Sequence, residues 1–285
     1  MSSDFIFLLK AAILGVVEGV TEFLPISSTA HLLILGDWLN FDAGQDKVYE
    51  IVIQLGSILA IVWLYRSELL KIAAGSMRAR KPDLLFVRNI LLAFLPAAVI
   101  GLIFIKQIKK LLDDQFIVYA ITLVLGGLIM LWVESRPEFS KRVRDDENIM
   151  VKSKTLSIEE ISIMQALAVG FAQCLAMIPG TSRSGASIIA GMMAGIERKV
   201  ATEFSFFLAI PTMMGATALS IYKYGHLLSE SNIIAVVIGF VTAFFSALFV
   251  VKGLLRFVAK HSYVPFAWYR IIFGAIVALW VWNIL

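Results

Sequence analysis

Charged side chains are absent from four long stretches of this chain, 89–105, 116–133, 204–222 and 233–251. Each comes close to the ~20 apolar residues a helix needs to cross a bilayer core of roughly 30 Å. Two shorter apolar runs, 51–65 and 271–285, reach that length once their flanks are included. The pattern predicts six full membrane-spanning helices. Two further apolar segments are interrupted, and in the same way. Residues 15–36 read GVVEGVTEFLPISSTAHLLILG and residues 170–191 read GFAQCLAMIPGTSRSGASIIAG. At a constant offset of 155, Gly15 falls on Gly170, Glu18 on Gln173, Ser27 on Ser182, Thr29 on Ser184 and Gly36 on Gly191. Both segments are broken by a proline followed by hydroxyl residues. Duplicated, broken apolar segments in the two halves of a membrane protein point to its binding site.

Composition agrees with a membrane class. The chain of 285 residues is 59% hydrophobic and 16% charged, whereas a soluble domain carries about 25% charged residues. The single cysteine, Cys174, cannot form an intrachain disulfide and sits in an apolar run as a packing residue. Residues 5–17 have the length of a signal peptide but lack a basic start and a small-residue cleavage site, and Glu18 follows directly. Lysine and arginine gather in the loops around 66–88, 135–160 and 252–262, and are sparser in the loops between. The positive-inside rule places those three loops in the cytoplasm and both termini outside. The net charge of +4 is therefore a topology signal, with no footprint for nucleic acid.

That sidedness requires an odd number of full spans in each half, so neither broken segment is a simple span. Each is predicted to be a re-entrant helix–loop–helix, a form tolerated where it is buried in protein or lines a polar cavity. The repeat continues beyond the breaks: Tyr49-Glu50-Ile51 aligns with Thr202-Glu203-Phe204, and Asn89-Ile90 with Asn232-Ile233. The organisation expected is a first repeat at 1–140, with a re-entrant segment at about 8–40 and then three spans. A cytoplasmic linker follows at 141–160. The second repeat occupies 161–285, with a re-entrant segment at about 162–196 and then three spans. Three spans per half turn the second copy upside down. The predicted fold class is all-α: a polytopic integral membrane protein, six spans plus two re-entrant segments in an inverted repeat, with the two tips meeting near the midplane.

The chemistry lies in the breaks. Glu18 and Glu22 are four residues apart and share a helix face. Two such carboxylates repel, so they share a proton, hold a divalent metal, or divide into acid and base. Pairing with a distant Lys or Arg is the structural alternative, although ionisable groups within a membrane usually mark function. Pro25 ends the first half-helix, and one of Ser27, Ser28 and Thr29 caps the second, at a helix start that also suits an anion. His31 stands one turn after Ser28, placed to activate or protonate it; a bond to a carbonyl is the plainer alternative. In the second break Gly180 lets the backbone approach an anion, and Thr181, Ser182 and Ser184 offer hydroxyls. Arg183 adds a permanently charged fork for phosphate oxygens, with Glu18 or Glu22 as its counter-charge when the site is empty. Glu50 and Glu203 hold matched places at span starts, where carboxylates favour the helix dipole. Arg270 is expected to snorkel to the cytoplasmic side as a structural residue.

Three stretches, EGVTEFLPISSTAH at 18–31, QLGSILA at 54–60 and PGTSRSGAS at 179–187, resemble the undecaprenyl pyrophosphate phosphatase family, the bacitracin-resistance proteins. The resemblance covers the whole chain. It implies hydrolysis of undecaprenyl diphosphate to phosphate and the monophosphate lipid carrier used for cell-wall polymers. It also implies an inverted-repeat enzyme of the bacterial cytoplasmic membrane with an outward-facing site and a divalent cation, Mg²⁺ or Ca²⁺. Carried over residue by residue, it implicates Glu18, Glu22, Ser28, His31, Ser182 and Arg183. Ala30 stands where many members have Gly, and Ser187 where many have Thr.

The resulting expectation is catalysis by Glu18, Glu22, Ser28, His31 and Arg183, with Glu18 and Glu22 also holding the metal. Ser27, Thr29, Gly180, Thr181, Ser182 and Ser184 are expected to contact the substrate. The expected partners are the lipid diphosphate and membrane lipids, with a homodimer left open. The competing class is an ion-coupled transporter or a flippase of a polyprenyl phosphate, because broken helices and midplane carboxylates are transporter features too.

Overall fold

The computed structural model describes residues 2–41, 48–104, 116–136, 155–224 and 230–284. Two helices, α1 (Ser2–Thr21) and α2 (Ser28–Trp38), form the first broken segment. Then come α3 (Val48–Leu64), α4 (Arg66–Met77), α5 (Lys81–Ile103) and α6 (Phe116–Glu134). The second broken segment is α7 (Ile163–Cys174), a 3₁₀ turn (Leu175–Met177) and α8 (Arg183–Met193). The chain continues with α9 (Arg198–Tyr224), α10 (Glu230–Val258) and α11 (Val264–Ile284). Among the described residues the sole β pairing is one bridge, Thr155 to Ile196. Residues 141–154 of the predicted linker, and with them most of the basic loop at 135–160, lie outside the described residues.

The five helices α5, α6, α9, α10 and α11 are long and apolar enough to cross a membrane. The sixth predicted span is α3, which is shorter; α4 follows it after a bend of 73°. Large apolar side chains point outward along these helices, with Phe249 of α10 77% exposed. A soluble protein would bury such a ridge, whereas a bilayer solvates it. The chain is a multi-pass membrane protein.

Packing follows the sequence repeat. Helix α1 lies along α10, and α7 lies along α5. Gly15 on α1 sits against the Gly239 backbone, and Gly170 on α7 sits against the Ala93 backbone; a Cβ at either place would overlap main-chain atoms. These two glycines are an offset-155 pair. Helix α3 packs on α10 and α9 packs on α5, while α3 also meets α9, and α6 meets α11. The main core joins Phe23 of the first break to Ile58, Ile61, Ile188, Phe204 and Phe206.

One buried ion pair ties three helix ends together. Glu134 at the end of α6 accepts two bonds from Arg198 at the start of α9, at 3.0 and 2.5 Å. The same carboxylate accepts the Tyr263 amide at 2.8 Å, just before α11. Both side chains are almost fully buried. Removing one member leaves the other charge uncompensated, so Arg198→Ala should lower stability by about 3–5 kcal/mol. Thermal denaturation in detergent measures this; an unchanged midpoint would show that the pair adds nothing.

Candidate active site

Both breaks are built by the same local device. Ser27 and Ser182 adopt φ values of 71° and 72°, in the left-handed region that L-residues avoid. Each caps the helix that follows. Ser27 Oγ accepts the Ala30 amide at 3.4 Å, and Ser182 Oγ accepts the Gly185 amide at 3.1 Å. The cap predicted among three hydroxyls is thus Ser27. Backbone of this kind costs on the order of 1–3 kcal/mol, and the surrounding structure must hold it in place.

The tips of the two broken segments meet. Ser184 Oγ donates to the Leu24 carbonyl at 3.0 Å, and Thr122 Oγ1 of α6 donates to the Pro179 carbonyl at 2.7 Å. Where the tips touch, three functional groups converge. Ser28 Oγ donates to Glu22 Oε2 at 2.6 Å, and Arg183 Nη2 donates to Glu22 Oε1 at 3.2 Å. Arg183 Nη1 is fixed on the Ser205 carbonyl at 3.0 Å. Its Nε–H is buried and makes no hydrogen bond. The guanidinium is thus held through both terminal nitrogens and keeps an unspent donor at Nε. Ser187 Oγ bonds Ser205 Oγ at 2.7 Å behind it.

Glu18 lies one turn before Glu22 and is 0% exposed. Neither of its carboxylate oxygens has a hydrogen-bond partner. Such a group, beside a second carboxylate, calls for a proton or a cation. Among the described residues no three His, Cys, Asp or Glu converge as a metal cluster. Two carboxylates one turn apart could hold a cation between them only with its remaining ligands supplied by water or phosphate.

Several expectations need correction. His31 does not face Ser28. Its Nδ1 lies 2.7 Å from the Ser27 carbonyl, which can only accept, so this nitrogen carries the proton. The Nε2 of the neutral ring then accepts the Tyr269 hydroxyl at 2.6 Å. The imidazole also stacks on Phe273, with centroids 4.4 Å apart. One turn of spacing brings His31 and Ser28 to one helix start, but their side chains turn to different partners. The carboxylate in contact with Ser28 is that of Glu22.

The second break has its own set of tip contacts. Gly180, at φ 83°, and Thr181 both offer their carbonyls to Arg270. The Thr181 amide closes a turn on Ile178. Their carbonyls and the Thr181 amide are thus engaged in holding the tip. Ser27 and Ser182 act as caps, and Ser184 ties the tips together. Thr29 is half-buried on the first turn of α2. Arg270 does not snorkel: it is 1% exposed and lies between the two breaks. Tyr269 and Arg270 are the site residues that sequence reasoning missed. The available signal was a lone charge within an otherwise uncharged apolar helix, 264–282.

Comparison with known proteins adds an independent finding. Residues 11–276 match the family described as Bacitracin resistance protein BacA. The chain is similar to a protein of Bordetella avium named undecaprenyl-diphosphatase, 54% identical over 281 residues and 99% of each chain. A protein of the same name from Bordetella petrii is 53% identical over 285 residues, again 99% of each chain. Undecaprenyl-diphosphatase 2 of Shewanella oneidensis is 51% identical over 274 residues, 96% of this chain and 98% of that one.

Proposed function

The chain belongs to the BacA bacitracin-resistance family, and we propose that it hydrolyses undecaprenyl diphosphate to undecaprenyl phosphate and inorganic phosphate. Full-length relatives carrying that enzyme name support the substrate. The observation that carries the chemistry is the buried contact of Ser28 Oγ with Glu22 Oε2 at 2.6 Å, with Arg183 on the other carboxylate oxygen. A hydroxyl on a carboxylate, beside a fixed cation, is a nucleophile–base pair with an anion holder. A transporter needs midplane charges but has no use for that pairing.

In this mechanism Glu22 Oε2 takes the Ser28 proton as Oγ attacks the terminal phosphorus. The new O–P bond forms as the bridging P–O bond breaks, and undecaprenyl phosphate leaves with the electron pair. Arg183 holds the equatorial oxygens while charge spreads over them. Glu22 passes the serine proton to the departing undecaprenyl phosphate and, ionised again, takes one from the water that attacks the phosphoserine; the Ser28 oxygen leaves phosphorus and recovers its proton from Glu22 as phosphate is released. A divalent cation, Mg²⁺ or Ca²⁺, held by Glu18 and Glu22 supplies further charge neutralisation when bound.

The architecture belongs to the same proposal. Six spans and two re-entrant segments form an inverted repeat in the bacterial inner membrane, with the first hairpin open to the periplasm. Three parallels support it: the matched caps at Ser27 and Ser182, the matched contacts of Gly15 and Gly170, and the exchange-symmetric helix neighbours. The basic loops set the orientation.

The test is direct. Pure protein in detergent, given a long-chain prenyl diphosphate and a divalent cation, should release one inorganic phosphate per substrate. Chelation should stop the release. No phosphate under these conditions would favour the transporter.

A further inference from the structure

We propose that Arg270 is a positioning residue: its guanidinium holds the two broken hairpins at the spacing where Glu22, Ser28 and Arg183 meet. The proposal rests on the phosphatase reading for its kinetic readout, but its geometry stands apart. A guanidinium has five N–H donors, and all five are used here on backbone carbonyls. Nε donates to Leu123 at 3.3 Å. Nη1 donates to Pro25 at 3.2 Å and Thr181 at 3.0 Å. Nη2 donates to Thr122 at 3.0 Å and Gly180 at 3.2 Å.

Those carbonyls come from three segments. Pro25 belongs to the first break, Gly180 and Thr181 to the second, and Thr122 and Leu123 to α6. Pro25 lies midway between Glu22 and Ser28 in the chain, and Thr181 is two residues from Arg183. One planar group thus fixes both halves of the catalytic set against a spanning helix. None of its bonds goes to a carboxylate. A buried cation satisfied by neutral carbonyls keeps its positive field, which suits a site that receives a diphosphate. Having no donor to spare, Arg270 acts on the substrate through position and field, without touching it.

Geometry and charge can be separated experimentally. Arg270→Lys keeps the charge but offers three donors and no fork, so it cannot span five carbonyls. Gly126→Ala leaves Arg270 itself unaltered. A Cβ at Gly126 would reach within 2.6 Å of the guanidinium carbon, so the group must shift. Alanine also favours the helix intrinsically, so Gly126→Ala keeps the question open to test if Arg270→Lys does not fold.

Hydrogen exchange without substrate is the first readout. In both variants, peptides covering 22–30 and 178–186 should exchange about tenfold faster, while the helix ends held by Glu134 and Arg198 keep their protection. Kinetics is the second. The kcat should fall on the order of 10²-fold, as for an ångström-scale misplacement, with KM within about threefold of wild type. Unchanged exchange in either hairpin would overturn the proposal, as would wild-type kcat in folded Gly126→Ala. If the wild-type protein releases no phosphate, the phosphatase reading fails, and the exchange experiment still decides whether Arg270 holds the hairpins.

Discussion

Glu22→Gln should reduce phosphate release by about 10²–10⁴-fold, the span expected when a positioned base is lost. The carboxylate has two partners at once: Oε2 accepts from Ser28 and Oε1 from Arg183. Glutamine keeps the shape but cannot take the serine proton, and the negative charge beside Arg183 disappears. Folding should survive. Glu18 remains one turn away as a counter-charge, and the like-charge repulsion between the two carboxylates is relieved. The measurement is turnover of purified protein with thermal denaturation alongside. A folded Glu22→Gln variant that retained metal-dependent hydrolysis would remove Glu22 from the mechanism.

Ser28→Ala should fall to background, because among the described residues no other hydroxyl bonds Glu22. Ser27 is committed to the helix cap, and the second-half serines bond to each other and to main chain. Ser27→Ala should instead cost mainly stability, about 1 kcal/mol for a lost cap. Stereochemistry gives an independent check. Two successive displacements through a phosphoserine retain configuration at a chiral thiophosphate, and inversion would mean that water attacks directly. A substantial residual rate in Ser28→Ala would also reduce Ser28 to an orienting role.

Much of this was legible in the sequence, for reasons that differ by feature. Charge-free runs locate spans because the bilayer penalises charge over a fixed thickness. The weak case was α3, at 17 residues, where Tyr65 and Arg66 turn the chain into α4. The offset-155 alignment located both strained caps, since Ser27 and Ser182 are identical residues in an identical local role. Spacing put Ser28 one turn from His31, whereas the hydroxyl bonds Glu22 across the break. It could not show that His31 turns to Tyr269, 238 residues away. Nor could it show that Arg270 reaches Pro25, 245 residues away. Helical periodicity reports neighbours along one element; contacts between elements depend on how the halves dock. Gly180 and Thr181 illustrate the same limit: spacing gave no sign that their carbonyls meet the Arg270 guanidinium of α11.

The Glu22–Arg183 contact joins residues 161 apart, and this separation governs how the molecule can be made. A ribosome delivers the first hairpin well before Arg183 exists, and Arg270 comes later still. During that interval Glu22 has its serine but no guanidinium, and the tip at Pro25 lacks its anchor. The long loop closure must come before the contact stabilises anything. On the proposed mechanism, competence would arrive with the docking of the last helix, and a nascent or truncated first half would be inert toward the lipid around it. Either half made alone is an incomplete hydrolase, and two separately translated halves would acquire activity only by pairing.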